Sequence, residues 1–125
     1  MKPSLAVATC IRRYAQFQGR AGRKEFWYFL TVIVSLKLLL SAAAVLLKWV
    51  NFSLLLQLLP ILILVSGAVI AVPLFAAGCR RLHDTGKGGW LQLLVLIPCV
   101  GIIIMIVLWA QQGSGVDNHY GVPPA

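Results

Sequence analysis

Three apolar stretches, Phe26–Leu47, Ser53–Ala77 and Trp90–Ala110, each come close to the ~20 residues an α-helix needs to cross a bilayer core. This constrains the fold more than any other feature. In hydrocarbon an unpaired backbone amide or carbonyl is costly, so only helices and closed barrels span. Barrel strands alternate apolar and polar residues, and these runs do not. Hydrophobic residues make up 60% of the chain and charged residues 11%, against roughly half and a quarter in soluble domains. The expected fold is therefore an all-α integral membrane protein of one domain, residues 1–125. Three transmembrane helices, 26–47, 53–77 and 90–110, form an antiparallel bundle, and an irregular Gly- and Pro-containing tail follows over 111–125.

The net charge of +8 is unevenly placed. Lys2, Arg12, Arg13, Arg20, Arg23 and Lys24 precede the first span, and Arg80, Arg81 and Lys87 lie between the second and third. Only Lys48 lies between the first and second. The positive-inside rule then puts the N-terminus and the 78–89 loop in the cytoplasm, with the Lys48–Phe52 loop outside. No cleavable signal pattern precedes the first span, which fits insertion into a bacterial inner membrane. Three crossings place the tail in the periplasm. Pro98 and Gly101 also permit a re-entrant hairpin that returns the tail to the cytoplasm. The length of Trp90–Ala110 and the value of Trp109 as an outer anchor favour the crossing.

Before the first span, Leu5, Ala8, Ile11 and Ala15 fall near one helical face with Arg12 and Arg13 beside it. Residues 4–17 are either a short interfacial helix or a frayed polar terminus. Cys10, Cys79 and Cys99 read as packing residues without a disulfide.

Two juxtamembrane segments carry the most specific pattern, Gly19-Arg-Ala-Gly-Arg-Lys-Glu-Phe-Trp27 and Arg80-Arg-Leu-His-Asp-Thr-Gly-Lys-Gly-Gly-Trp90. Each combines cations, glycines and an interfacial tryptophan. With Ile97-Pro98, Gly101 and the tail Asp117-Asn-His-Tyr-Gly121, the chain resembles the small bacterial inner-membrane proteins of the YhaH/YhaI type. The resemblance runs from Phe17 onward, with His119 standing where members often carry Arg. It implies a multi-span inner-membrane protein and supplies no activity to carry over, because that family is a domain of unknown function.

Catalysis finds little support in the residues. His83-Asp84 looks like half of a metal site, but the chain has only two His and three acids. Asp117 and His119 would lie across the membrane in the expected topology. The 85–89 run lacks the glycine and the Ser or Thr that a P-loop requires. The chain is expected to be no enzyme and to bind no metal, cofactor or nucleic acid.

The expected role is a membrane module whose Arg20, Arg23, Lys24, Arg80, Arg81 and Lys87 engage anionic lipid or a protein partner. If spans one and three are neighbours, Glu25 meets Arg80, Arg81 or Lys87, and Asp84 meets Arg20, Arg23 or Lys24, with His83 a further ion-pair candidate. The bland alternative is a purely structural turn, in which Asp84 caps the turn or pairs with Arg81. Lys37 lies ~16 Å past Phe26, near mid-membrane, where a charge is costly. It either snorkels along the stripe with Ser41 and Lys48, or lines a polar pathway with Gln57 in a small transporter or channel component. Small residues at Ser41–Ala44, Gly67 and Ala71 permit close helix approach, and three spans leave much helix surface uncovered. A homo-oligomer, or association with another membrane protein, is expected.

Overall fold

The computed structural model describes residues 2–50 and 53–124. Four α-helices and one 3₁₀ segment follow in order: α1 Pro3–Arg12, α2 Arg23–Trp49, α3 Ser53–Asp84, the 3₁₀ segment Gly89–Leu96, and α4 Val100–Ala110. Residues 51 and 52 of the expected outer loop lie outside the described residues.

The first helix starts on Pro3, whose missing N–H costs nothing at that position. Ala6 and Cys10 are buried, while Lys2, Arg12 and Arg13 are exposed. Of the two readings for this segment the helix is the one formed, and it packs against both long helices.

Both long helices are apolar and long enough to cross a membrane. In α2, Glu25 lies in the first turn and Lys48 in the last, each opposing the end charge of the helix dipole. At ~1.5 Å per residue the 32 residues of α3 exceed a ~30 Å core. Its last turn therefore projects into the headgroup layer. Pro73 leaves the Val69 carbonyl without its helical donor, and the Tyr14 hydroxyl donates to that oxygen.

The end of α3 explains the His-Asp-Thr-Gly-Lys motif. Gly86 adopts φ +74°, its N–H bonds the His83 carbonyl at 3.0 Å, and the Lys87 N–H bonds the Leu82 carbonyl at 3.0 Å. These two bonds are those of a Schellman cap. Thr85 Oγ1 adds a bond to the Leu82 carbonyl at 2.8 Å.

The third apolar stretch corrects the expected topology: it forms a hairpin instead of a third crossing. The 3₁₀ segment descends to Ile97, the chain turns at Pro98–Cys99 with Cys99 at φ +60°, and α4 climbs back. With 11 residues, α4 spans only about half of a bilayer core. Gly101 is buried where the two arms meet, and a Cβ there would overlap the Leu94 carbonyl. Trp109, expected as an outer anchor, packs on Phe26 with ring centroids 4.9 Å apart. The tail thus lies at the same end of the bundle as the 78–89 loop.

A half-length hairpin leaves the fold lopsided. Its core of Cys10, Phe26, Phe29, Ile33 and Ala77 lies toward the hairpin end. Beyond it Leu38, Leu46 and Leu64 are each at least 66% exposed, a surface suited to lipid.

Candidate functional site

The polar centre of the molecule is a buried arginine–carboxylate clamp that ties four segments together. Asp84, on the last turn of α3, receives Arg20 Nη2 on Oδ1 at 2.8 Å and Arg81 Nη1 on Oδ2. Glu25, on the first turn of α2, receives Arg80 Nη1 at 2.9 Å. The three guanidinium side chains are at most 1% exposed.

Three cations against two carboxylates leave one surplus positive charge, which backbone carbonyls offset. Arg20 donates to Ser114, to Val116 at 2.8 Å and to Gly121 at 3.1 Å. Arg81 donates to Trp109 at 2.9 Å and to Gln111. The tail is therefore part of the clamp. Ser114 N–H returns a bond to the Asp84 carbonyl at 2.8 Å, and Gly113 passes so close to the Asp84 carboxylate that no Cβ would fit.

His83 joins through its ring and forms no ion pair among the described residues, a correction to the expected pairing. Nδ1 donates to the Gly19 carbonyl at 3.0 Å, and the ring stacks on Tyr120 at 3.9 Å and 3°. Asn118 Nδ2 donates to the His83 carbonyl at 2.9 Å.

Of the alternatives open for the carboxylates, Glu25–Arg80, Asp84–Arg20 and Asp84–Arg81 are the pairs formed. Arg20, Arg80 and Arg81, expected to face lipid or a partner, are buried, with their guanidiniums bonded to carboxylates and carbonyls of the chain itself. Arg23 and Lys24 are exposed, and Lys87 donates to Gln111 Oε1 at 2.7 Å. Lys37 reaches across to α3, donating to Ser66 Oγ at 2.7 Å and to the Ile63 carbonyl at 2.8 Å. Ser41 and Gln57 are exposed and make no bond to Lys37. Sequence reading passed over Ser66 and Ser114, whose single hydroxyls carry no signal by spacing. Asn118 and Tyr120 had a signal in the Asn-His-Tyr-Gly run.

Since the tail returns, Asp117 and His119 share the end that holds His83, and the topological reason for separating them falls away. Among the described residues no three His, Cys, Asp or Glu side chains converge as a ligand set.

Cys10 touches the clamp, donating to Glu25 Oε1 at 3.7 Å and accepting from Arg80 Nη2 at 3.9 Å. Burial, then the Glu25 charge, pushes this thiol from 9.0 up to about 11, against the opposing pull of Arg80. Two units remove about 99% of the thiolate present at neutral pH, so maleimide should modify folded Cys10 about a hundredfold more slowly than the same thiol after denaturation. Peptide mass mapping of Cys10 before and after denaturation checks this, and equal rates would contradict the burial.

Two long apolar helices, an apolar hairpin and a buried ionic clamp at one end define a small helical membrane protein. The chain belongs to the family described as Protein of unknown function (DUF805), which matches residues 14–122 and so takes in every clamp residue. It is 35% identical to Inner membrane protein YhaH of Escherichia coli K12 over 114 residues, 91% of each chain. It is 31% identical to Inner membrane protein YhaI of the same strain over 114 residues, 91% of this chain and 90% of that one. This relationship makes it an inner-membrane protein. No solved structure matches it.

Proposed function

We propose that the protein is a non-catalytic membrane module that binds anionic lipid through a basic rim around the clamped end, on the cytoplasmic side. One observation carries the reading: the clamp uses Glu25 and Asp84 internally and leaves Arg12, Arg23 and Lys24 exposed. The third acid of the chain is Asp117, so the rim keeps a surplus of positive charge. Of the 11 Lys and Arg residues, only Lys37 and Lys48 fall outside the segments 2–24 and 80–87. That asymmetry supports a cytoplasmic orientation. Each rim cation adds up to ~1 kcal/mol near an anionic leaflet.

The test is native mass spectrometry of protein released from phosphatidylcholine nanodiscs that contain phosphatidylglycerol. The triple variant Arg12→Gln, Arg23→Gln, Lys24→Gln should retain at least about tenfold less phosphatidylglycerol, since the three cations together contribute up to ~3 kcal/mol. Retention equal to wild type would remove the proposal. The same spectra give subunit number. The uncovered halves of α2 and α3 support self-association, and a lone monomer would count against it.

A further inference from the structure

Between the end of α1 and the returning tail lies a cavity of about 460 Å³, within the range of small-ligand sites. Thr9, Arg13 and Gln16 form one wall, and Arg20, Glu25 and Tyr120 contribute to the others. The opposite flank of α1 fixes its depth. There Ile11 and Tyr14 close an apolar trough with Phe29, Leu36 and Val69 of the long helices. The polar cavity thus lies at headgroup level, one helix width from hydrocarbon.

The wall chemistry selects an occupant. Arg20 cannot serve one, because its donors are committed to Asp84 and to tail carbonyls. Arg13 is exposed and joins no ion pair among the described residues. The bonds from Arg80 and Cys10 to Glu25 both fall on Oε1. Oε2 is left, among the described residues, as an open acceptor beside the cavity. The surplus charge of the clamp and Arg13 together favour an anion, while Glu25 Oε2 requires that the anion also bring hydrogen-bond donors. An ammonium-bearing headgroup would satisfy Glu25 but meet the positive surplus. A headgroup bearing hydroxyls meets both conditions.

We propose that this cavity is a receptor for a polyol phosphodiester of the glycerol phosphodiester type. Arg13 holds the phosphate, while the hydroxyls donate to Glu25 Oε2 and the Gln16 side-chain carbonyl. The inference rests on the lipid reading above and adds selectivity to it. Phosphatidylglycerol and phosphatidylmethanol carry the same net charge, and only the first has the hydroxyls.

In phosphatidylcholine nanodiscs holding the two anionic lipids in equal amounts, the wild type should retain about tenfold more phosphatidylglycerol, which one hydrogen bond to a carboxylate can supply. Gln16→Leu should reduce that ratio toward one, while Arg13→Gln, which removes the partner of the phosphate that both lipids share, should lower retention of both; the two positions are exposed, and thermal unfolding should be unchanged. Equal retention of both lipids by the wild type would overturn the cavity assignment and leave the basic rim intact. Loss of all anionic lipid preference would overturn both. The remaining arm uses free glycerophosphoglycerol. Its displacement of the retained lipid would support recognition of the headgroup alone, and persistence of the phosphatidylglycerol preference in its presence would support a membrane-held lipid as the occupant.

Discussion

Asp84→Asn is expected to release the tail and the Arg20 turn from the end of α3, at a cost of about 3 to 5 kcal/mol, the range for breaking a buried ion pair. The upper end applies because one carboxylate serves two guanidiniums, and both would be left buried without a counter-charge. Asparagine keeps the size and one acceptor, so the loss is electrostatic. A cost of this size is a large fraction of the ~5–15 kcal/mol that stabilises a typical fold. Lipid still holds α2 and α3 across the membrane, so the damage should stay local. Proteinase K should cut residues 111–124 in the Asp84→Asn protein under conditions that leave the wild type intact. Asp117→Asn, at an exposed position, should behave as wild type. Equal resistance of the Asp84 and Asp117 variants would show that the clamp does not hold the tail.

The pairing of Glu25 with Arg80 and of Asp84 with Arg20 was legible because each acid opens or closes an apolar helix at the same interface, and few partners exist there. The inward turn of all three arginines was not. A net positive cluster reads as a surface feature unless something offsets the surplus, and here the offset comes from tail carbonyls at Ser114, Val116 and Gly121. Backbone carbonyls have no sequence signature. Lys37 shows the same limit in a milder form. Its depth announced the need for a partner, but a carbonyl at Ile63 and a hydroxyl at Ser66 were two of many candidates on α3.

The hairpin was visible in Pro98 and Gly101, but segment length and Trp109 outweighed them. Length cannot separate one ~20-residue crossing from two half-depth arms, because both bury the same apolar residues. An interfacial tryptophan likewise marks depth and gives no side. What decides is the fit between the arms. Pro98 leaves Leu94 without its i+4 donor, and the Ile97 N–H takes that carbonyl instead at 3.0 Å. Gly101 then lets α4 pass the same carbonyl.

Valine at position 101 should therefore open the hairpin. Its Cβ would collide with the Leu94 backbone, and the Ile97 Cβ would also stand 3.1 Å away. A backbone obstacle cannot rotate aside, so the penalty should exceed the ~1–3 kcal/mol of ordinary overpacking. The released segment is long enough to cross the membrane. The residues after Ala110 contain no Lys or Arg to hold them back. Gly101→Val should then move the tail to the opposite side and detach it from Arg20 and Arg81. A cysteine reporter, Gly115→Cys, occupies an exposed position with open space around it. With the native cysteines replaced, an impermeant maleimide should label it from the same side as a Lys24→Cys reporter at an exposed position of the clamped end. After Gly101→Val, the label on the Gly115 reporter should appear from the other side. Opposite-side labelling of the two reporters without the valine would refute the hairpin, and unchanged labelling with it would show that the Leu94 contact does not set the turn.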